Sequence, residues 1–143
     1  MGYQHILLTL DYSKHGDYVL QKGQSLAKLF AAKLSLIHVL DNIPMPQLAY
    51  GTIIPLTEPT DNALLETEKT KFIQTADKLG IDQDSRWVVW GNPKQEIIHI
   101  AEQEDADLVV VGSHGRHGLA LLLGSTANAV LHYAKCDVLA VRL

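Results

Sequence analysis

Three short stretches of this chain are apolar on nearly every successive residue: His5-Ile6-Leu7-Leu8-Thr9-Leu10, Leu34-Ser35-Leu36-Ile37-His38-Val39-Leu40 and Leu108-Val109-Val110-Val111. A half-exposed strand alternates apolar and polar residues, whereas an uninterrupted run needs cover on both of its faces. Val138-Leu139-Ala140-Val141 is a fourth such run and Arg86-Trp87-Val88-Val89-Trp90 a weaker one, which makes five expected strands. Between them the apolar spacing turns helical. Val19, Leu20, Gly23, Leu26, Ala27 and Phe30 fall on one stripe, with Ser13 as N-cap. From Asp61 to Leu79 the stripe is Leu65, Phe72, Ala76 and Leu79, and Gly80 stands where a helix C-cap belongs. Asn92-Pro93-Lys94-Gln95 reads as a helix start, with Asn as cap, Pro at the first helical position and Gln three residues after the cap; Ile97, Ile98 and Ala101 point inward. Ser125 is expected to cap a last helix carrying Val130, Leu131 and Ala134. Strands and helices that alternate in this way predict a doubly wound α/β fold, a single five-stranded parallel sheet with helices on both faces and the first strand central. The connection from Asp41 to Thr60 holds Pro44, Pro46, Gly51, Pro55 and Pro59 and has no clear period, so it reads as a loop or partly ordered lid.

At 143 residues, residues 1–143 are expected to form one domain whose core needs no disulfide or metal staple. A net charge of −4 argues against binding to nucleic acid or an anionic membrane by bulk electrostatics and leaves room only for a local basic spot, so any anionic ligand must be held locally. Cys136 is the only cysteine, which fits a reducing compartment. No apolar run reaches membrane-spanning length and no basic leader opens the chain, so a cytoplasmic location is expected.

In open α/β sheets ligands bind beyond the carboxyl ends of the strands, where the strand order reverses. The first strand ends in Thr9-Leu10-Asp11-Tyr12-Ser13. The Leu108–Val111 strand runs into Gly112-Ser113-His114-Gly115-Arg116-His117-Gly118, and after five more residues Gly124-Ser125-Thr126 opens a helix. Four glycines in thirteen residues let successive N–H groups point into one concavity, and the helix start adds further donors and two hydroxyls. Phosphate is the ligand such a loop suits. It is not a P-loop, because five residues separate Gly118 from Gly124 and no Lys follows. It is not a Rossmann fingerprint either, because the turn after the first strand lacks glycine.

Those strand ends, with Ile37-His38-Val39-Leu40-Asp41, Ala106-Asp107-Leu108-Val109-Val110-Val111-Gly112-Ser113-His114-Gly115 and Gly124-Ser125 in the same chain order, resemble the universal stress proteins of the UspA type over nearly the whole chain. The resemblance implies a strand order of 3-2-1-4-5 and a homodimer through the C-terminal strand, here Asp137 to Leu143. In one branch of the family it implies ATP bound with Mg²⁺. Carried over, Gly112, Gly115, Gly124 and Ser125 match the phosphate elements, Asp11 the acid at the ribose or its metal, and Thr9, Val39 and Val111 the positions around the base. His114, Arg116 and Thr126 are further candidate contacts to the nucleotide. Eight residues, Arg116 to Leu123, separate Gly115 from Gly124 where the ATP-binding pattern has nine, so the chain combines features of two branches. The other branch supplies an alternative: a dimer that binds no nucleotide and acts through its surface. A slow ATPase is a third reading, with Asp11 holding Mg²⁺ and Arg116 or His114 neutralising charge. A dedicated catalyst is not expected, for there is no G-x-S-x-G elbow and no Cys/His nucleophile setting.

Several of these residues also have plain structural readings. Asp11 can cap the first helix, and Gly112, Gly115 and Gly118 can simply turn the chain. His38 reads as a hydrogen-bonded core histidine. His114, His117 and His132 lack the Cys or carboxylate that would complete a metal site. Leu119 and Leu121 to Leu123 are too apolar for an ordinary loop and suit core packing, a cover over the site or a dimer contact.

Overall fold

The chain runs β1 (His5–Thr9), α1 (Gly16–Phe30), β2 (Lys33–Leu40), β3 (Thr52–Ile53), α2 (Ala63–Leu79), β4 (Arg86–Trp90), α3 (Pro93–Gln103), β5 (Leu108–Gly112), α4 (Ser125–Tyr133) and β6 (Asp137–Val141). The computed structural model describes residues 2–11, 16–45, 47–113 and 124–142. The expected cap Ser13, the loop residues His114 to Leu123 and the terminal Leu143 lie outside the described residues.

The strand order is β3-β4-β2-β1-β5-β6. β1 is central, paired in parallel with β2 (Leu7 opposite Ser35) and with β5 (Leu7 opposite Val109). β4 and β6 extend the parallel set on either side, so the five expected strands stand in the expected order 3-2-1-4-5. One correction concerns the connection from Asp41 to Thr60. It contains β3, which pairs antiparallel with β4 (Thr52 opposite Trp90, Ile53 opposite Val89), so the sheet has six strands and is mixed rather than wholly parallel. Two residues are too few to show a period. The strand forms because the outer edge of β4 needs backbone partners, supplied also by Gly51 N to Trp90 O and Ile54 N to Val88 O, both at 2.8 Å.

Alternation along each strand sends side chains to two cores. Ile6, Leu8, Leu36, Leu40, Val88 and Val110 pack with Val19, Leu20 and Ala27 of α1 and with Leu65, Phe72 and Ala76 of α2. Leu7, Ile37, Val39, Val89, Val109 and Val111 pack on the other face with Ile97, Ile100 and Ala101 of α3 and with Ala127 and Val130 of α4. Phe72 is fully buried, a burial that stabilises by about 1.5–3 kcal/mol.

Helix ends follow local chemistry with two corrections. Gly80 ends α2 at φ +69°, its N–H reaching Ala76 O and Asp77 O, and Asn92 Oδ1 accepts from Lys94 N at 2.9 Å with Pro93 at the first helical position. The cap of α2 is Asn62, whose Oδ1 accepts from Leu65 N at 3.1 Å, so the helix starts later than Asp61. The N-cap of α4 is Gly124 rather than Ser125, which is the first helical residue. On that helix Val130 is fully buried while Leu131, one step of about 100° around the axis, is 44% exposed and faces outward. The end of the connection before α2 is clamped by Lys69, a buried lysine that donates to Glu58 O and to Glu66 Oε1. Lys69, with Thr60 donating to the same carboxylate, holds Glu66 below its ordinary pKa.

Candidate functional site

β1 and β5 lie side by side, but their following helices leave to opposite faces of the sheet, α1 to one and α4 to the other. In an open α/β sheet the divergence of two such helices marks the place where ligands bind, beyond the carboxyl ends of the two strands. At that edge Thr9 donates its hydroxyl to Val110 O at 3.1 Å, tying the end of β1 to β5. Leu10 N donates to Ile37 O at 2.8 Å, which continues the ladder with β2 one residue past β1. Asp11 follows, half-buried at the strand end and engaged in contacts of its own.

The end of β5 receives the start of α4 directly. Ser113 N donates to Val141 O at 2.8 Å, and Gly124 N donates to Ser113 O at 2.6 Å. The amino end of α4 is thereby seated on the carboxyl end of β5. Gly124 offers no side-chain cap, so the first-turn N–H groups from Ser125 onward are not taken up by an N-cap oxygen. A helix start of this kind carries partial positive charge and directed donors. Ser125 is exposed and Thr126 half-buried beside them.

Of the residues named from sequence, Thr9, Asp11, Val39, Val111, Gly112, Gly124, Ser125 and Thr126 belong to this one carboxyl edge, on β1, β2, β5 and the start of α4. Val39 and Val111 are buried, with side chains on the α3 and α4 face, so only their backbone faces the edge. His114, Gly115 and Arg116 lie outside the described residues, as does His117. Among the described residues no group of three or more His, Cys, Asp or Glu is arranged to hold a metal ion, and His132 sits on α4 beside Tyr133.

Two further residues hold this edge together without having been named as site candidates from sequence. Ser113 is buried and is the joint between β5, β6 and α4, a role visible only once the three meet. His38, read from sequence as a core histidine, does make a core-type hydrogen bond: Nδ1 donates to Leu10 O at 2.8 Å, and Nε2 lies 3.7 Å from Glu68 Oε2 of α2. The partner, however, is the carbonyl that immediately precedes Asp11. A separate groove of about 520 Å³ between α3 and α4, lined by Asn92, Gln95, Ile98, His99, Ala129 and Tyr133, lies outside this set of residues.

The profile of the universal stress protein family matches residues 2–142. The chain belongs to the universal stress protein family. Universal stress protein A homolog 2 of Coxiella burnetii is 42% identical over 143 residues, covering 99% of this chain and 97% of that protein. A solved structure of a hypothetical protein of Methanocaldococcus jannaschii, a chain that also carries the universal stress protein name, aligns with a TM-score of 0.77 at 26% identity, covering 100% of this chain and 98% of that one. A universal stress protein solved in complex with cAMP aligns with a TM-score of 0.65 at 23% identity, covering 99% and 98% of the two chains, which is a likeness of fold. Among the described residues no helix is long and apolar enough to cross a membrane.

Proposed function

We propose that this universal stress protein binds an adenine nucleotide, ATP with Mg²⁺, across the carboxyl ends of β1 and β5. The observation that carries the reading is the seat of α4 on β5, Gly124 N to Ser113 O at 2.6 Å, which directs uncapped helix donors to the edge where β1 ends in Asp11. In this reading the phosphates meet the backbone of Gly112 and Gly115 and the start of α4 at Gly124, Ser125 and Thr126, with His114 and Arg116 beside them. Asp11 takes the ribose hydroxyls or the Mg²⁺, whose remaining ligands are phosphate oxygens and water. The base lies along the backbone of Thr9, Val39 and Val111. The cAMP complex of a fold neighbour supports an adenine nucleotide as the ligand class. Titration calorimetry with ATP and Mg²⁺ tests the proposal. Saturable heat is expected, and its absence at millimolar nucleotide would favour the reading in which the protein acts through its surface alone.

The same proposal includes a homodimer built on the C-terminal strand. β6 is the last strand of the described sheet, so its outer N–H and C=O groups have no strand partner among the described residues, and Leu139 is 36% exposed beside half-buried Val138 and Ala140. A second copy of the same edge would satisfy those groups.

A further inference from the structure

We propose that His38 is a positioning residue for the nucleotide site, holding the last peptide of β1 and through it Asp11. The proposal rests on the nucleotide reading and adds a residue from the second strand that carries no ligand contact of its own. A carbonyl oxygen only accepts, so the 2.8 Å contact between His38 Nδ1 and Leu10 O requires the ring proton on Nδ1. That bond holds the carbonyl of the peptide joining Leu10 to Asp11, while Leu10 N is already held by Ile37 O. With both polar groups of Leu10 fixed, the direction in which the chain delivers Asp11 is set from β2 rather than by β1 itself.

The second ring nitrogen faces another element. Nε2 lies 3.7 Å from Glu68 Oε2 of α2, and Lys71 Nζ stands 3.7 Å from the other oxygen of that carboxylate. The side chains of His38 and Glu68 are only 12% and 20% exposed, so the pair is largely shielded by the helix it joins. α2 contributes no predicted ligand, yet when Nε2 is protonated as well the Glu68 carboxylate attracts the ring, and in that state the seat of α2 on the sheet bears on the orientation of the imidazole and hence on Asp11.

The amide of Asn superimposes its NH₂ on Nδ1 of His, and that of Gln superimposes its NH₂ on Nε2, so two substitutions separate the two contacts. His38→Asn keeps the donor to Leu10 O and loses Glu68. His38→Gln reaches Glu68 and loses Leu10 O. Affinity for ATP with Mg²⁺ is measured by calorimetry beside the melting temperature of each variant. The expected result is near wild-type affinity for His38→Asn and an affinity about three- to tenfold weaker for His38→Gln, the worth of one lost hydrogen bond. Equal affinities for the two variants, or losses that merely follow their melting temperatures, overturn the inference and leave the nucleotide reading standing. A wild-type chain that binds no adenine nucleotide overturns both. A readout on the unmodified protein decides the matter even where a variant does not fold. Nitrogen NMR is expected to show the Nδ1–H form of His38, with ring signals that move on nucleotide addition while those of His132 stay fixed. A ring protonated on Nε2 alone, or ring signals indifferent to bound nucleotide, refutes the role.

Discussion

Replacing Gly23 by Ala is expected to destabilise this protein by about 1 kcal/mol even though it puts a strong helix former in the middle of a helix. Gly23 is buried in α1 against β1, and a Cβ built on it would stand 2.6 Å from Leu8 Cδ1, 3.0 Å from Cδ2 and 3.2 Å from Cγ. Leu8 cannot simply swing away: it is fully buried, with Leu36 and Val110 opposite it on the two flanking strands. Helix propensity and the stiffer unfolded chain favour Ala by about 1 kcal/mol, and overpacking of a closed core costs about 1–3 kcal/mol, so the overlap wins by roughly 1. In a chain of this size that lowers the melting temperature by about 2–4 °C. Urea unfolding of Gly23→Ala, Leu8→Ala and the double variant gives the coupling directly. Leu8→Ala alone is expected to cost about 2–5 kcal/mol, and clearly less in the Gly23→Ala background, because the truncation removes the atoms that collide. A Gly23→Ala protein more stable than wild type, or single effects that add within about 0.5 kcal/mol, would show that α1 shifts freely over β1 and would refute the close packing argued for this side of the site.

Ser125→Asp separates the nucleotide site from mere chain turning: an acidic residue in the first turn of α4 is expected to stabilise by about 0.3–1 kcal/mol through the helix dipole while weakening ATP binding at least tenfold by repulsion, read by thermal melting and calorimetry on the same sample. If affinity is unchanged, phosphate does not lie at this helix start. Leu139→Lys, a charge on the exposed side of the β6 edge, is expected to convert the proposed dimer to monomer in sedimentation at micromolar concentration; a persisting dimer places the interface elsewhere. Burial pushes the Asp107 carboxyl up, but the N–H groups of Gln4 and His5, at 2.8 and 3.0 Å, outweigh it and hold the group below its ordinary 3.8. The folded chain then binds fewer protons there than the unfolded one, so the stabilisation is present above the ordinary value and is lost as pH falls through the lowered one. Acid titration of urea midpoints should show a shallower decline for Asp107→Asn than for wild type, and parallel curves would contradict the assignment.

Much of the architecture was legible because it depends on local pattern. Continuous apolar runs such as His5–Leu10 can be satisfied only by cover on both faces, which requires a buried parallel strand, and the turn chemistry of Gly80 and of Asn92-Pro93 depends on backbone geometry that those residues carry with them. The start of α2 at Asn62 was beyond local pattern, since the apolar stripe places Leu65 on the helix but does not say which residue before it turns the chain. β3 was illegible for a different reason: Thr52 and Ile53 form a strand only because Trp90 and Val89 present an edge to them. The site divides in the same way. The glycines and hydroxyls around Gly112 and Gly124 could be singled out as a phosphate-type loop from residue chemistry, since what glycine and a helix start offer does not depend on distant partners. The seat of α4 on Ser113, the tie from Thr9 to Val110 and the link from Glu68 through His38 to Leu10 were decided by the tertiary structure alone. Each of these joins residues from different strands and helices, and one-dimensional spacing carries no information about which backbone carbonyl a side chain will meet across a sheet.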